Sequence, residues 1–304
     1  MNVGVIGASG FIGSHVVDKL IDAGHDVTAF DIMTPHRNDV RHINIDVLDL
    51  TRTVVALAGR YDAVYHLAAM ANVNDVYRNP VEAGHVNVMA VANVLEAARR
   101  NEVGRVVLAS TVWIYDLAAG DDVDEDTQLM PRKVSHVYTA TKLAAESYCW
   151  AYQNLYETPV TILRYGIPYG PRARGGTVMA AFVQRALKGE PLTINGSGKN
   201  TRNYVYVEDL AEGNVAALQE IARNRIYNLE GKRPVTILEV AQAVKKLVRD
   251  VPIEHREARE GDFSGRTISA ERAARELKWE PKVDIEEGIE RYVAWYRTQE
   301  NKGL

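Results

Sequence analysis

The chain opens on a short apolar run, Val3-Gly4-Val5-Ile6. Gly7-Ala8-Ser9-Gly10-Phe11-Ile12-Gly13 follows, and then Ser14 to Ile21, whose apolar positions recur at helical spacing. A strand, a glycine turn and a helix in that order constrain the fold more than any other stretch, because they begin a right-handed crossover in a parallel sheet. Gly7 permits the tight turn, Gly10 lets the backbone approach a pyrophosphate, and Gly13 lets the helix lie close to the sheet. The free N–H groups and the dipole of the helix then meet the anion. The spacing is GxxGxxG rather than GxGxxG, and glycines alone serve turns just as well. The added weight comes from a second strand, Asp26 to Phe30, which ends in Asp31 about 20 residues past the glycines. A carboxylate there can bind the hydroxyls of an adenosine ribose and would repel a 2′-phosphate, which points to NAD rather than NADP.

Strands and helices continue to alternate. Tyr61–Leu67, Arg105–Ser110 and Val160–Arg164 read as buried strands, Asn87–Arg100 as an amphipathic helix and Tyr138–Tyr156 as a long one. Such alternation predicts an α/β fold with a doubly wound parallel sheet. After Tyr165 glycine and proline thicken through Gly166–Pro171, so the expected division is a cofactor domain over 1–165 and a smaller lobe over 166–304. Helical Val207–Glu220 and strand-like Ile226–Leu229 are candidates to return to the sheet. The acidic run Asp121–Asp126 reads as a solvated loop.

With 304 residues, 46% of them hydrophobic, the chain can bury a full core. A net charge of −4 gives no global attraction to nucleic acid or an anionic membrane. Cys149 is the single cysteine, set in an apolar stretch, and reads as a buried structural thiol. No leader or membrane-length apolar run is visible, so a cytoplasmic protein is expected. The eight histidines are dispersed, which argues against a metal site, and no Gly-Lys-Ser/Thr phosphate loop occurs.

The chemistry falls on the long helix. Tyr138 and Lys142 are one turn apart and project from one face. A free phenol, with a pKa of about 10, is scarcely ionised at neutral pH. A cation within about 4–6 Å can lower that value by roughly 1–3 pH units, which makes a general base for an alcohol. The pair lies downstream of the glycine turn and of a strand that ends in Ser110-Thr111.

At this point the chain resembles the extended short-chain dehydrogenase/reductases, specifically the NAD-dependent epimerase/dehydratase group that acts on nucleotide sugars. The resemblance runs through Gly7/Gly10/Gly13, Asp31, Asp46-Val47, His66-Leu67-Ala68-Ala69, Asn87, Ser110-Thr111 with Tyr115, and Tyr138/Lys142. It continues through Leu163-Arg164-Tyr165, Tyr169-Gly170-Pro171, Gly196-Ser197-Gly198, Thr201 to Asp209, Arg259 to Asp262 and Leu277 to Pro281. It implies a Rossmann fold with a C-terminal substrate lobe and a homodimer. Thr111, Tyr138 and Lys142 are then the catalytic set. Gly7, Gly10, Phe11, Ile12, Asp31, Asp46, Val47, Leu67, Ala68, Ala69, Asn87, Tyr138 and Lys142 are placed on the cofactor. Thr111, Tyr138, Thr177, Val178, Arg202, Arg259 and Asp262 are placed on the sugar nucleotide, the two arginines meeting its two phosphates.

Three departures bear on the reaction. Asn203 follows Arg202 where the family often has Asp. The family's Arg-Tyr-Phe-Asn-Pro reads Arg164-Tyr165-Gly166-Ile167-Pro168, so the asparagine that usually holds the sugar nucleotide is absent. Val112 and Trp113 stand where the dehydratases carry the acidic pair for water elimination and the decarboxylases a Glu at the second position. A 4-epimerase that oxidises C4 transiently and returns the hydride is the expectation. A keto-sugar reductase, an atypical dehydratase and a non-catalytic NAD sensor stay open beside it.

Overall fold

Strands such as Val106-Val107-Leu108-Ala109 are apolar at successive positions, the pattern of a strand covered on both faces. In the structure, a computed structural model that describes residues 1–173, 175–257 and 266–300, they form one sheet. Its strands are β1 (Asn2–Ile6), β2 (Asp26–Asp31), β3 (Arg41–Asn44), β4 (Ala63–His66), β5 (Val106–Thr111), β6 (Val160–Tyr165) and β7 (Arg225–Leu229). The order is β7-β6-β5-β4-β1-β2-β3, and every neighbouring pair is parallel.

The two faces divide by period two. Val3, Val5, Val107, Ala109, Leu163 and Leu229 face helices α1 (Phe11–Asp22) and α6 (Val207–Ala216). Ile6, Phe30, Val64, Val106, Leu108 and Ile162 join the core that contains α3 (Ala90–Arg100) and Cys149 of α4 (Val137–Tyr156). Cys149 is fully buried and its thiol is pushed up by burial. A separate core gathers α5 (Val178–Lys188), α7 (Ile237–Leu247) and α8 (Ile285–Glu300) around Tyr169, Tyr204 and Tyr206. Here α2 denotes the short helix Leu50–Ala56 after β3. Strand order reverses between β1 and β4, and in such sheets ligands bind in the crevice beyond the C-terminal ends of the strands at that point.

Both late segments return to the first core: β7 adds the outer strand beside β6, and α6 packs on α1. The helix is shorter than its sequence pattern, ending at Ala216 before a 3₁₀ turn at Glu220–Ala222. The acidic run is not merely a solvated loop. Asp122-Val123 pairs with Thr267-Ile268, and the Glu125 carboxylate is buried, accepting from the Asn228 amide at 2.8 Å and facing Arg272. That amide at the sheet edge needs an acceptor, and Glu125 supplies it.

Candidate active site

The glycine turn joins β1 to α1 against the loop that leaves β4. Gly7 is in the left-handed region at φ 82°, and a Cβ there would stand 2.5 Å from the Ala68 amide nitrogen. At Gly13 a Cβ would collide with the Gly7 carbonyl. Gly10 caps α1 without a side-chain hydrogen bond, so an anion at this N-terminus meets backbone N–H groups and the helix dipole. Half-buried Phe11 and Ile12 open the helix. Asp31, ending β2, accepts from the Ser9 amide at 2.8 Å and the Met33 amide at 2.9 Å, which holds its carboxylate at the rim of the turn. A cradle that any side chain would fill, an uncapped helix start and a carboxylate at the end of β2 fit a dinucleotide.

Exposed Asp46 turns its loop by accepting from Leu48 N at 2.9 Å, and Asn93 pins the Val47 carbonyl at 2.9 Å. Leu67 and Ala68 run against the glycine turn at Gly7, with Leu67 N donating to Ile6 O, and Ala69 follows them. Asn87 turns inward. Its side chain exchanges hydrogen bonds with both backbone groups of Met70 and donates to Thr141 Oγ1 at 3.1 Å, so it shapes the crevice by fixing the loop after Ala69. It lies on a π-helical turn, His85–Met89, ahead of α3, a local feature that periodicity does not reveal.

Thr111 ends β5, where its hydroxyl accepts from the Trp113 amide at 3.3 Å and faces Tyr138 on helix α4. Tyr138 is half-buried with its ring against the edge of Trp113, centroids 6.4 Å apart. Burial of the hydroxyl pushes its pKa up to about 12, and the nearby Thr111 side chain pulls the other way. The structure therefore differs from the expectation of a phenol lowered by Lys142. The ammonium of that residue, buried one turn along, is directed at the Ala109 carbonyl, 2.9 Å away. Burial lowers Lys142 to about 8, and the nearby Glu146 carboxylate opposes the fall. His66, at the end of β4, is pushed down to about 3 by burial and by Lys142, and is neutral.

Beneath this pair lies a buried polar network that spacing alone does not show. Glu146 Oε1 accepts from Ser110 Oγ at 2.5 Å and Arg164 Nε at 3.1 Å, and Oε2 from Arg164 Nη2 at 2.8 Å. Arg164 also donates to the Tyr115 hydroxyl, which donates to Asn228. One carboxylate thus braces α4, the strand of Thr111 and β6 together.

Trp113, Ile167, Arg202, Asn203 and Arg266 line a narrow cleft, and Arg202 is buried. A wider depression of about 400 Å³ lies at the far sheet edge between β3 and α2, lined by none of Thr111, Tyr138 and Lys142. Asp116, three residues past Trp113, is raised by burial while His136, Arg266 and Arg202 lower it. Asp116, Asn203 and Arg266 went unassigned in the sequence because separate segments bring them together. Thr177 caps α5 by accepting from Ala180 N, and exposed Val178 follows it. Arg259 and Asp262 lie outside the described residues. Among the described residues no group of His, Cys, Asp and Glu could hold a metal ion, and no helix is long and apolar enough to cross a membrane.

A glycine cradle at the switch point of a parallel sheet, facing a Thr/Tyr/Lys set, defines a dinucleotide-dependent enzyme of the short-chain dehydrogenase/reductase type. The model of the NAD dependent epimerase/dehydratase family matches residues 3–229, and the chain belongs to that family, whose cofactor is NAD. The chain is 32% identical to a putative UDP-glucose 4-epimerase from Methanocaldococcus jannaschii, over 96% of this chain and 97% of that protein. It is 30% identical to a UDP-N-acetyl-alpha-D-glucosaminuronate decarboxylase from Bacillus cytotoxicus, over 98% of each. The crystal structure of UDP-glucuronic acid 4-epimerase from Bacillus cereus, in complex with UDP-glucuronic acid and NAD, superposes with a TM-score of 0.88 at 27% identity. That match covers 98% of this chain and 100% of the other.

Proposed function

We propose that the chain is a nucleotide-sugar 4-epimerase acting on a UDP-hexose or its uronate. The observation that carries this reading is the contrast at the end of β5. The Thr111 side chain faces Tyr138, while the next two side chains, Val112 and Trp113, carry no titratable group. Similarity to epimerases and decarboxylases supports a sugar-nucleotide substrate, and this contrast favours epimerisation between them.

Gly7, Gly10 and the start of α1 would hold the pyrophosphate of NAD, and Asp31 its adenosine ribose. NAD supplies a reversible acceptor for the hydride of a sugar carbon. Tyr138 takes the proton of the C4 hydroxyl, with Thr111 holding the same oxygen in line. Lys142 keeps its proton at neutral pH, so its ammonium is the cation available to the phenolate as it forms. Returning the proton from Tyr138 after the keto sugar has turned completes the exchange. Trp113 forms a wall that limits how the sugar turns, and Arg202 meets the diphosphate.

We also assign a homodimer, because Tyr148, Leu155 and Tyr156 of α4 and Met89 beside α3 leave exposed apolar surface that a second copy would cover. Sedimentation at the mass of a single 33.8 kDa chain would remove that assignment. For the reaction, UDP-glucose and UDP-glucuronate are incubated with enzyme and NAD in heavy water. The expected product is the C4 epimer, unchanged in mass and without deuterium at C5. A product lighter by water or carbon dioxide, or deuterium at C5, overturns the epimerase reading.

A further inference from the structure

Two departures from the family motifs, Gly166 and Asn203, lie far apart in the chain and meet at one side chain. Residue 230 follows β7 as residue 166 follows β6, and the strands run with Leu229 opposite Tyr165. A Cβ on Gly166 would stand 2.7 Å from the Asn203 carbonyl oxygen and 2.8 Å from Glu230 Oε2. The absent side chain at 166 is what admits the Glu230 carboxyl. That carboxyl is buried, and neither oxygen makes a hydrogen bond of good geometry among the described residues. The Asn203 side chain offers a looser contact that favours the charged form. Burial outweighs it and pushes the Glu230 acid well above the usual carboxylate range.

Asn203 itself lines the cleft with Trp113, Ile167 and Arg202, and its carbonyl accepts from Ile167 N at 2.8 Å. Glu230 therefore sits directly behind the cleft wall. An aspartate at 203 would set two carboxyls side by side, which cannot both ionise without a large penalty; the amide removes that conflict.

We propose that Asn203 is the amide that contacts the sugar nucleotide, and that Glu230 is the positioning residue that fixes its orientation, so the pair supplies what Ile167 lacks. This assignment rests on the sugar-nucleotide reading above. Calorimetric titration with UDP-glucose tests it. Asn203→Ala and Glu230→Ala should each weaken binding about tenfold, the value of roughly one hydrogen bond. The double variant should be no weaker than either single one, Glu230→Gln should recover most of the loss, and NAD affinity should stay within about twofold. Asn203→Ala binding like wild type overturns the contact. Glu230→Ala binding like wild type, or a double variant whose loss is the product of the two, overturns the positioning role. If Glu230→Ala fails to fold, the comparison of Glu230→Gln with Glu230→Met takes its place, since only Gln can hold the amide.

Wild-type protein that binds no UDP-glucose would sink the sugar-nucleotide reading instead, and the pairing can then be tested without substrate. In thermal unfolding, Asn203→Asp should lower Tm in the wild-type background and lower it less beside Glu230→Gln. Additive shifts overturn the pairing.

Discussion

Lys142→Met should make the protein inactive and, at neutral pH, no less stable. Lys142 is 5% exposed, and burial takes it from an ordinary 10.5 to about 8. At 1.36 kcal/mol per pH unit, carrying the ammonium into the fold costs about 3 kcal/mol. Against this stands its hydrogen bond to Ala109 O, a charged-donor bond of about 1.5–3 kcal/mol. Methionine fills a similar volume and escapes both, so a gain of about 1 kcal/mol at pH 7 is expected. The pH dependence is the sharper signature. Between pH 8 and 10.5 the unfolded chain holds the Lys142 proton and the native protein does not, so wild-type stability rises relative to the variant through that window. By pH 10 wild type should regain roughly 2–2.5 kcal/mol on Lys142→Met. Urea unfolding of both proteins at pH 7 and pH 10 measures the difference. A difference that does not change between the two pH values refutes the reasoning, since it would mean that Lys142 is not charged in a dry site.

The remaining expectations follow from the same geometry. Because Asp31 is held at the rim of the turn, NAD should bind at least about tenfold tighter than NADP, or about 1.4 kcal/mol; equal affinities by calorimetry would remove its role. Tyr138→Phe should lower turnover by roughly 10²-fold or more with little change in NAD affinity, and retained turnover would exclude Tyr138 as the base. Arg202→Ala should weaken UDP binding by about 1.5–3 kcal/mol while leaving NAD binding unchanged, and a variant that holds UDP like wild type would return Arg202 to a structural role. Glu146→Gln leaves the Arg164 guanidinium buried without a counter-charge, so a loss of about 3–5 kcal/mol is expected in unfolding, and an unchanged midpoint would contradict it.

The sheet was legible because its signals are local. Glycines at 7, 10 and 13 require one turn geometry, and runs such as Val160-Thr161-Ile162-Leu163 admit little else between turn residues. Thr111, Tyr138 and Lys142 were legible because helical spacing and a strand end place them on facing elements. The direction of the Tyr138 shift was not, since it depends on how much protein covers the hydroxyl and on where the Lys142 ammonium turns. Glu125 was misread for a related reason: its neighbours in sequence are acidic, but its partner is the Asn228 amide, brought by β7 from the other half of the chain. Gly166 and Asn203 show in the sequence only as separate departures from family motifs, and Glu230 carries no local pattern. Their relation exists only after β6 and β7 pair.

The late return of β7 and α6 has a consequence for how the protein is made. Synthesis proceeds from the N-terminus, so β6 is complete while the strand that covers its edge, Arg225–Leu229, has yet to be assembled. Until then β6 presents unpaired backbone groups beside an apolar sheet, and α1 lacks the helix that covers its buried face, a combination that invites strand pairing between nascent chains. A fragment ending near residue 165 would carry every glycine of the cofactor turn together with Tyr138 and Lys142, yet keep that edge open permanently. Premature termination should therefore yield aggregates rather than a working NAD-binding module.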